Sequence, residues 1–545
     1  GWQCGWGSLT SGRDEPTGDM VGACGAAEQR AVSTGLLLGI DEGTTAVKAA
    51  LFDFELRPIA EARRPVPVTH PQPGWFEQDP ELVLQAVVEA VAEVLEQANG
   101  REIVAAGLDH QGESVLAWDA DSGRALTPVV VWQDKRQQAL LDQLAADDRG
   151  AQVREHSGLP LDPYFSAGKL AWLLANDAAV QSARERGTLR LGTVDVFLVD
   201  RLGGRFATDL STASRTQLLG VGGHDWDEQL LATFEVQREW LPALGPSFGA
   251  LGELRHERWP VPIPLAAQLV DQQAALAGSG AVRPGELKAT YGTGVFVLAR
   301  TPEPVRAHGL LPTIAWAAPG AVGDPWVGAG ISDDVGVGTG VRDGDRVGEI
   351  SYALDGGVFA AGSLLDWLAT GLGLATDARA LATAAGGVPD SAGVMVLPAL
   401  AGLGAPWWRP DAHGVIAGLH PAVRPAHVAR AALEAIAWRV ADIVTAIAAV
   451  TPVELVRVDG GLTNDETLLQ IQADALGLPL SVGPADTTVL GAAMLAGVGA
   501  GVFASVEHAA LQLPVGRAIE PSVDALTRTA AHKRWQTFVR ASADL

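Results

Sequence analysis

Cysteine is scarce in this 545-residue chain, which has only Cys4 and Cys24, both within the first 34 residues. Two cysteines cannot form a disulfide framework, and no cysteine–histidine spacing matches a zinc site. Proteins of the reducing cytosol typically use cysteine in this way. We therefore expect a cytoplasmic protein.

Long apolar runs and excess positive charge are also missing. No run approaches the roughly 18 residues that a membrane span requires. Lysine and arginine number 39 against 64 aspartates and glutamates, for a formal net charge of −25. A nucleic-acid-binding protein needs a basic face, so this balance argues against nucleic acid as a partner. The composition predicts neither a membrane nor a nucleic-acid partner.

The length exceeds what one hydrophobic core usually supports, so we predict two large domains. Residues 1–34 show no periodicity, which indicates a disordered tail or a translation start assigned too early. We expect the domains at 35–279 and 280–515, with a C-terminal extension at 516–545. Residues 323–348 are rich in glycine and aspartate and interrupt a strand pair, which predicts an inserted loop.

The segment Leu36–Phe54 contains two apolar runs joined by Gly43-Thr44-Thr45, which predicts a β-hairpin. Glycine lets backbone N–H groups approach a ligand closely, and threonine adds hydroxyl donors, so the turn suits a polyphosphate. Asp41 precedes the turn and suits Mg²⁺, while Lys48 follows it and adds a positive charge. The alternative is an ordinary hairpin with a polar turn.

Residues 287–298 repeat this form around Gly292-Thr293-Gly294. Two such hairpins about 250 residues apart predict a duplicated architecture in which each half contributes one loop to a shared nucleotide.

Several polar or aromatic side chains follow predicted strands, where ligands gather in open α/β sheets. Glu113 and Trp132 are candidates of this kind, although a solvated loop acid and a core aromatic are the alternatives. Asp271 and Gln272 follow a strand and begin a small-residue helix. A carboxylate flanked by amides suits hydroxyl recognition or general-base work, and Asp271 also suits a helix N-cap.

Other segments are assigned by pattern alone. GTVDVFLVD at 192–200 predicts a strand, and TDLSTASRT at 208–215 predicts a polar loop. The long apolar stretch at 426–450 predicts a central helix. A strand at 455–458 followed by DGGLTND suits close approach of a base or ribose.

Many of these segments, in this order, resemble the FGGY carbohydrate kinases, and the resemblance covers about residues 36–510. The motifs are GIDEGTT, PQPGWFEQD, VVWQDKR, GLPLDPYFSAGKLAWLL, DWDEQLL, DQQAAL, TYGTGVF, GLGAPWW and VDGGLTND. The resemblance implies an α/β fold of two actin-like (ribonuclease-H-like) ATPase domains with a cleft between them. It also implies ATP and Mg²⁺ as cofactors, a small-molecule polyol as substrate, and a homo-oligomer, either a dimer or a tetramer.

The resemblance also implies roles for single residues. Asp271 matches the catalytic aspartate that takes the proton from the attacking hydroxyl, and Asp41 matches the acid near Mg²⁺. The matches to substrate-binding positions are Glu113, Trp132, Tyr164, Asp271, Gln272 and Phe296. The matches to nucleotide-binding positions are Thr44, Thr45, Lys48, Thr293, Gly362, Asp366, Gly461 and Asp465.

The chain departs from the family pattern at several of its positions. Gly112 replaces an arginine that donates to substrate hydroxyls, and we expect it to leave room for a longer polyol or a sugar. Glu42 replaces a glutamine, and Lys48 stands where the family has arginine. Asp366 and Asp465 replace amides. A glycine-rich loop that binds an allosteric inhibitor in some relatives is absent, so we expect no such inhibition.

Taken together, these features predict transfer of the γ-phosphoryl group of ATP to a primary hydroxyl of a small polyol, glycerol foremost. A first alternative is an FGGY kinase for another polyol or ketose, such as erythritol, xylulose or ribulose, because of Gly112. A second is an actin-fold ATPase without kinase activity.

Overall fold

The computed structural model describes residues 35–322 and 348–544. The expected N-terminal tail at 1–34 lies outside the described residues, as does almost all of the expected insertion at 323–348.

A six-stranded sheet forms the first lobe, with strand order β11-β12-β5-β1-β2-β3. Strands β1, β2 and β3 form an antiparallel meander, and β1, β5 and β12 are parallel. The predicted hairpin is therefore confirmed, with Asp41 opposite Lys48 across the β1–β2 pair. The strands are β1 (Leu36–Glu42), β2 (Ala46–Phe52), β3 (Pro58–Pro65), β5 (Ile103–His110), β11 (Phe248–Leu254) and β12 (Ile263–Val270).

A seven-stranded sheet forms the second lobe, with order β15-β16-β14-β13-β19-β20-β21. It repeats the first sheet: β13, β14 and β16 form an antiparallel meander, β13, β19 and β20 are parallel, and β21 closes the far edge antiparallel. The predicted duplication is thus confirmed in the topology. The strands are β13 (Leu287–Tyr291), β14 (Val295–Thr301), β15 (Leu311–Ala317), β16 (Ile350–Val358), β19 (Val456–Asp459), β20 (Leu480–Val482) and β21 (Arg517–Ile519).

Smaller sheets and the helices complete the lobes. The short strands are β4 (Glu77–Gln78), β6 (Val115–Asp119), β7 (Val129–Val130), β8 (Leu189–Thr193), β9 (Ala207–Asp209), β10 (Ala243–Gly245), β17 (Met395–Leu397) and β18 (Val415–Ala417). The helices are α1 (Pro80–Gln97), α2 (Gln138–Ala146), α3 (Arg149–Ser157), α4 (Ser166–Asn176), α5 (Ala178–Arg186), α6 (Val194–Gly203), α7 (Leu210–Ala213), α8 (Glu228–Thr233), α9 (Asp271–Gly278), α10 (Gly362–Asp366), α11 (Ala378–Gly386), α12 (Pro425–Ala448), α13 (Glu466–Leu476), α14 (Thr487–Gly499), α15 (Val506–Ala510) and α16 (Ala525–Ser542). None of the helices in the described ranges has the length and apolar character needed to cross a bilayer.

Two segment assignments from the sequence are wrong. Residues 192–200 end strand β8 and then form most of α6, whose side chains are buried almost all round. A short helix that is apolar on every face has the same sequence pattern as a buried strand. Residues 208–213 belong to β9 and α7 instead of an open loop, and residues 214–215 form a turn after the helix. Asp209 caps α7 by accepting from the N–H groups of Ser211 and Thr212.

Helix α14 belongs to the second half of the chain but packs against the first lobe's sheet and against α9. Glycines allow this contact, because an added Cβ would overlap backbone at each. At Gly491 it would lie 1.8 Å from the Ala274 carbonyl oxygen, and at Gly278 it would lie 2.0 Å from the Thr487 carbonyl oxygen. The contact holds α9, which begins at Asp271, in a fixed place between the lobes.

We expect Gly491→Ala to lower the stability of the protein by at least about 1–3 kcal/mol, because the new methyl group overpacks a backbone contact. Thermal and urea denaturation of both proteins would measure the loss. Gly150→Ala is the matched control, since its Cβ would meet only Leu161 side-chain atoms at 3.8 Å and beyond. Equal midpoints for Gly491→Ala and the unmodified protein would contradict the packing argument.

Candidate active site

Carboxylates converge where three parallel strands of the first sheet end. Asp41 near the end of β1 pairs in register with Asp109 near the end of β5, and Asp271 directly follows β12. Burial and, after it, the nearby charge of Asp271 together raise the pKa of Asp41 to about 7. Burial also raises the pKa of Asp271, which the positive charge of Lys288 opposes. Three acids so close together cannot all be charged without a cation nearby.

Asp109 is a member of this cluster that sequence reasoning did not assign. It is fully buried, and apart from a side-chain hydrogen bond shared with Asp41 its carboxyl has no hydrogen-bond partner among the described residues. Burial raises its pKa well above the ordinary range, and the charges of Asp41 and Asp271 add to the shift. The signal was present in the sequence, because Asp109 begins the polar run of residues 109–113 at the end of the buried strand β5.

Glu42, which replaces the family's glutamine, lies fully buried under the first turn. Its Oε1 accepts from Gln111 Nε2 at 2.8 Å, and the same amide donates to Gln78 Oε1. Gln78 in turn donates to the Thr44 carbonyl oxygen at 2.7 Å. Burial raises the pKa of Glu42 well above its usual value, which favours the neutral form of the side chain at the position of the family's glutamine. This network fixes the shape of the turn.

Lys288 joins the second hairpin to Asp271 and was also missed from the sequence. It lies on β13 with no exposed surface, and its Nζ donates to Gln272 Oε1 at 2.7 Å and to Thr290 Oγ1 at 2.8 Å. Asp271 itself accepts from the Gln272 N–H through Oδ1. The second hairpin therefore contacts Gln272 through Lys288, and the charge of Asp41 in the first hairpin interacts with Asp271. The N-cap interpretation of Asp271 is wrong, because Val270 occupies the N-cap and no side chain caps the helix.

A small enclosed cavity lies beside Asp271 at the junction of the two lobes. Its volume is about 10 Å³, roughly the room that one water molecule needs. Four of the predicted substrate residues line it, together with residues of the second lobe. The lining is Glu113, Tyr164, Arg215, Val270, Asp271, Gln272, Gln273, Leu298, Thr313 and Asp355.

The other predicted substrate residues lie next to this lining. The ring of Trp132 contacts Tyr164 edge-to-face at 5.6 Å, and its Nε1 donates to Thr44 Oγ1 at 3.0 Å. Phe296 is two residues from Leu298 on β14 and so shares its face of the strand. Buried Lys169 fixes the Tyr164 segment by donating to the Tyr164 carbonyl oxygen at 2.7 Å.

Gly112 packs closely against the end of β12. A Cβ at Gly112 would lie 2.9 Å from Cγ1 of Val270, so Val270 fills the space directly beside it. The expected room for a longer polyol or a sugar, farther from the backbone, stays a prediction.

Three predicted nucleotide residues surround the end of β13. The backbone N–H of Gly362 donates to the Gly292 carbonyl oxygen at 3.1 Å, which docks α10 on the Gly292-Thr293-Gly294 turn. Gly460 has a φ of 94° and packs so close to Tyr291 that a Cβ would lie 2.4 Å from its carbonyl oxygen. The neighbouring Gly461 borders open space.

Two of the three charged nucleotide candidates, Lys48 and Asp465, have side-chain partners within the protein. Lys48 forms ion pairs with Glu61 at 2.9 Å and Asp486 at 2.7 Å. Asp465 caps α13 by accepting from the Leu468 N–H at 2.8 Å. Asp366 is exposed at the end of α10, and Thr45 is exposed in the first turn.

Two similar α/β lobes, a turn of small residues in each, and a carboxylate between them define the class of actin-like ATPase folds that transfer phosphoryl groups. A sequence model of the FGGY family of carbohydrate kinases, N-terminal domain, matches residues 36–278, and the C-terminal domain model matches residues 287–500. The chain belongs to the FGGY family of carbohydrate kinases. It is thus an ATP-dependent carbohydrate kinase.

Individual relatives agree with this assignment. A glycerol kinase of Citrifermentans bemidjiense is 40% identical over 93% of this chain and 98% of its own length. A glycerol kinase of Gloeobacter violaceus is 40% identical over 94% of this chain and 98% of its own length. The crystal structure of Plasmodium falciparum glycerol kinase with ADP superposes with a TM-score of 0.83 at 27% identity, covering 93% of this chain and 98% of that one.

We expect Glu42→Gln to flatten the dependence of stability on pH. The folded pKa of Glu42 lies well above its unfolded value of about 4.3, so the stability contributed by its neutral form is present below that value and is lost as pH rises through the folded pKa. Glutamine has no charge to lose. Melting temperatures at pH 5.5 to 8.5 should therefore fall less steeply for the variant.

The matched control is Glu96→Gln, because Glu96 is exposed on α1. Its pH profile should parallel that of the unmodified protein. If the pH profile of Glu42→Gln also parallels that of the unmodified protein, the raised pKa of Glu42 is contradicted.

Proposed function

We propose that this protein transfers the γ-phosphoryl group of ATP to a primary hydroxyl of glycerol. The carrying observation is that Asp271 and Gln272 line a cavity with Glu113 and Tyr164. Lys288 of the second hairpin donates to Gln272, and Asp41 of the first hairpin lies close enough to Asp271 for their charges to interact. Curated relatives at 40% identity that are named glycerol kinase support glycerol over other polyols. An ATPase without a kinase function has no need for such a cavity.

Asp271 is the proposed general base. Its buried carboxylate lines the cavity, where it would accept the proton of the attacking hydroxyl and orient that oxygen toward the phosphorus. Lys288 holds Gln272, so the amide is fixed beside the carboxylate. Glu113 is oriented by Arg215, whose Nε donates to Oε1 at 2.8 Å, and it would accept from a second hydroxyl.

Nucleotide binding is proposed at the two turns. Thr44, Thr45 and Thr293 would donate to phosphate oxygens, and Gly362 and Gly461 would face the rest of the nucleotide. Lys48, Asp366 and Asp465 remain proposals too, and Lys48 would have to leave Asp486 or Glu61 to reach a phosphate.

Mg²⁺ fits the acidic cluster as an ion held mainly by phosphates and water. In the described ranges no group of three or more side chains of metal-ligand type is arranged to hold an ion alone. Magnesium commonly binds nucleotides through only one or two carboxylates, and the adjacent carboxyls of Asp41 and Asp109 would provide them. The ion would neutralise phosphate charge, which is its usual contribution to phosphoryl transfer.

The cavity is too small for glycerol as it stands, so substrate entry requires the lobes to separate and then close. Closure would exclude water from the phosphoryl group and limit wasteful hydrolysis of ATP. By the same family resemblance we propose a cytoplasmic homo-oligomer, and analytical ultracentrifugation would distinguish dimer from tetramer.

We expect Asp271→Asn to lower kcat by about 10²–10⁴-fold, because the amide cannot take the proton. ATP affinity, measured by calorimetry, should stay nearly unchanged, since Asp271 serves the hydroxyl. The exposed Asp121→Asn is the matched control and should retain full turnover. Near-normal turnover by Asp271→Asn would remove the residue from this role.

We expect glycerol to give the highest kcat/KM in a panel with erythritol, xylulose, ribulose and gluconate, followed by ADP release. The curated relatives named glycerol kinase support glycerol over longer substrates. A ketose preferred over glycerol would replace the substrate in this proposal, and ADP release independent of every acceptor would favour a simple ATPase.

A further inference from the structure

Arg215 is a buried cation between two acids at the junction of the lobes. It follows helix α7 in the first lobe and is 3% exposed. Its Nε donates to Glu113 Oε1 at 2.8 Å, and its Nη2 pairs with Asp355 Oδ2 at 3.0 Å. Asp355 lies on β16 of the second lobe, so one guanidinium joins both lobes beside the cavity.

The third nitrogen of this guanidinium has no partner. Nη1 of Arg215 is buried and donates no hydrogen bond to any residue within 35–322 and 348–544. Guanidinium N–H groups always remain donors, and a buried donor to which nothing is paired is unfavourable. Burial lowers the pKa of Arg215, but the charges of Glu113 and Asp355 outweigh that effect and raise the pKa above its ordinary value, so the positive charge persists.

Unpaired acceptors belong to the same cavity lining. Asp355 Oδ1 and Gln273 Oε1 are buried and likewise have no hydrogen-bond donor among the described residues. A hydroxyl group both donates and accepts, so it can satisfy an unpaired donor and an unpaired acceptor together. A polyol is therefore a chemical match for this end of the cavity, whereas an apolar group is not.

We propose that Arg215 determines substrate specificity by donating from Nη1 to a hydroxyl that is not phosphorylated. The proposal rests on the proposed polyol kinase activity. Asp271 would contact the reacting hydroxyl, and Arg215 would contact another hydroxyl of the same molecule, with Glu113 held between them. The Arg215–Asp355 ion pair places this contact where the two lobes meet. Arg215 would therefore donate to the substrate hydroxyl only when the lobes are closed.

The test compares glycerol with propane-1,2-diol and propane-1,3-diol, which keep a primary hydroxyl but each lack one other. Arg215→Lys preserves the positive charge but loses the planar donor fork. We expect kcat/KM for glycerol to fall about 10- to 100-fold in this variant. For the diol that lacks the partner hydroxyl, kcat/KM should be nearly the same in both proteins, and the KM for ATP should not move.

A purely structural role predicts a different pattern. If Arg215 only supports Glu113 and Asp355, glycerol and both diols should lose activity by the same factor, and that result would overturn the proposal. Arg258→Lys is the matched control, because Arg258 is half exposed in a surface pair with Glu89. If the unmodified protein phosphorylates no polyol, the proposed function itself fails, which is a separate and recognisable outcome.

A second measurement covers the case in which Arg215→Lys does not fold. A crystal structure of the unmodified protein with glycerol should place a hydroxyl oxygen within hydrogen-bond distance of Nη1. Glycerol seated beside Asp271 with every oxygen beyond 3.5 Å of Nη1 would overturn the proposal.

Discussion

The site depends on one close contact between helices from opposite halves of the chain. Helix α14 lies against α9 and the first sheet at a distance that only glycine permits at Gly278 and Gly491. Similar contacts occur where α14 crosses β1 and β5, at Gly39 and Gly107. Because packed backbone cannot yield as a side chain can, Asp271 at the start of α9 keeps its place relative to both lobes.

Charge in the interior follows from that placement. Three strand ends deliver acids to one point, and two buried cations, Lys288 and Arg215, come from the second sheet and the first lobe respectively. The acids outnumber the cations, which is why burial and mutual repulsion raise the pKa of Asp41 and Asp109. An excess of buried negative charge is unfavourable without a counter-ion, and a cation bound with the nucleotide would lower the repulsion between these acids.

Sequence patterns recovered much of this organisation because they reflect local rules. Alternation of apolar runs and small-residue turns gave both hairpins, and a long apolar stretch gave the central helix α12. The segment 192–200 failed because α6 is buried all round, so burial removed the periodicity that separates helix from strand. Lys288 and Arg215 were missed for another reason: each stands in an ordinary local context, and only its distant partners make it part of the site.

The chain by itself determined the duplicated hairpins, the family, and the positions of Asp271, Glu113 and the threonine turns, since short-range patterns encode these features. Tertiary structure alone decided which charges meet. Asp109 joins Asp41 only through the parallel pairing of β1 and β5, and Arg215 joins Glu113 to Asp355 across residues about 100 to 140 apart in sequence. Contacts of that range depend on how the lobes pack, and packing leaves no mark on the sequence near either partner.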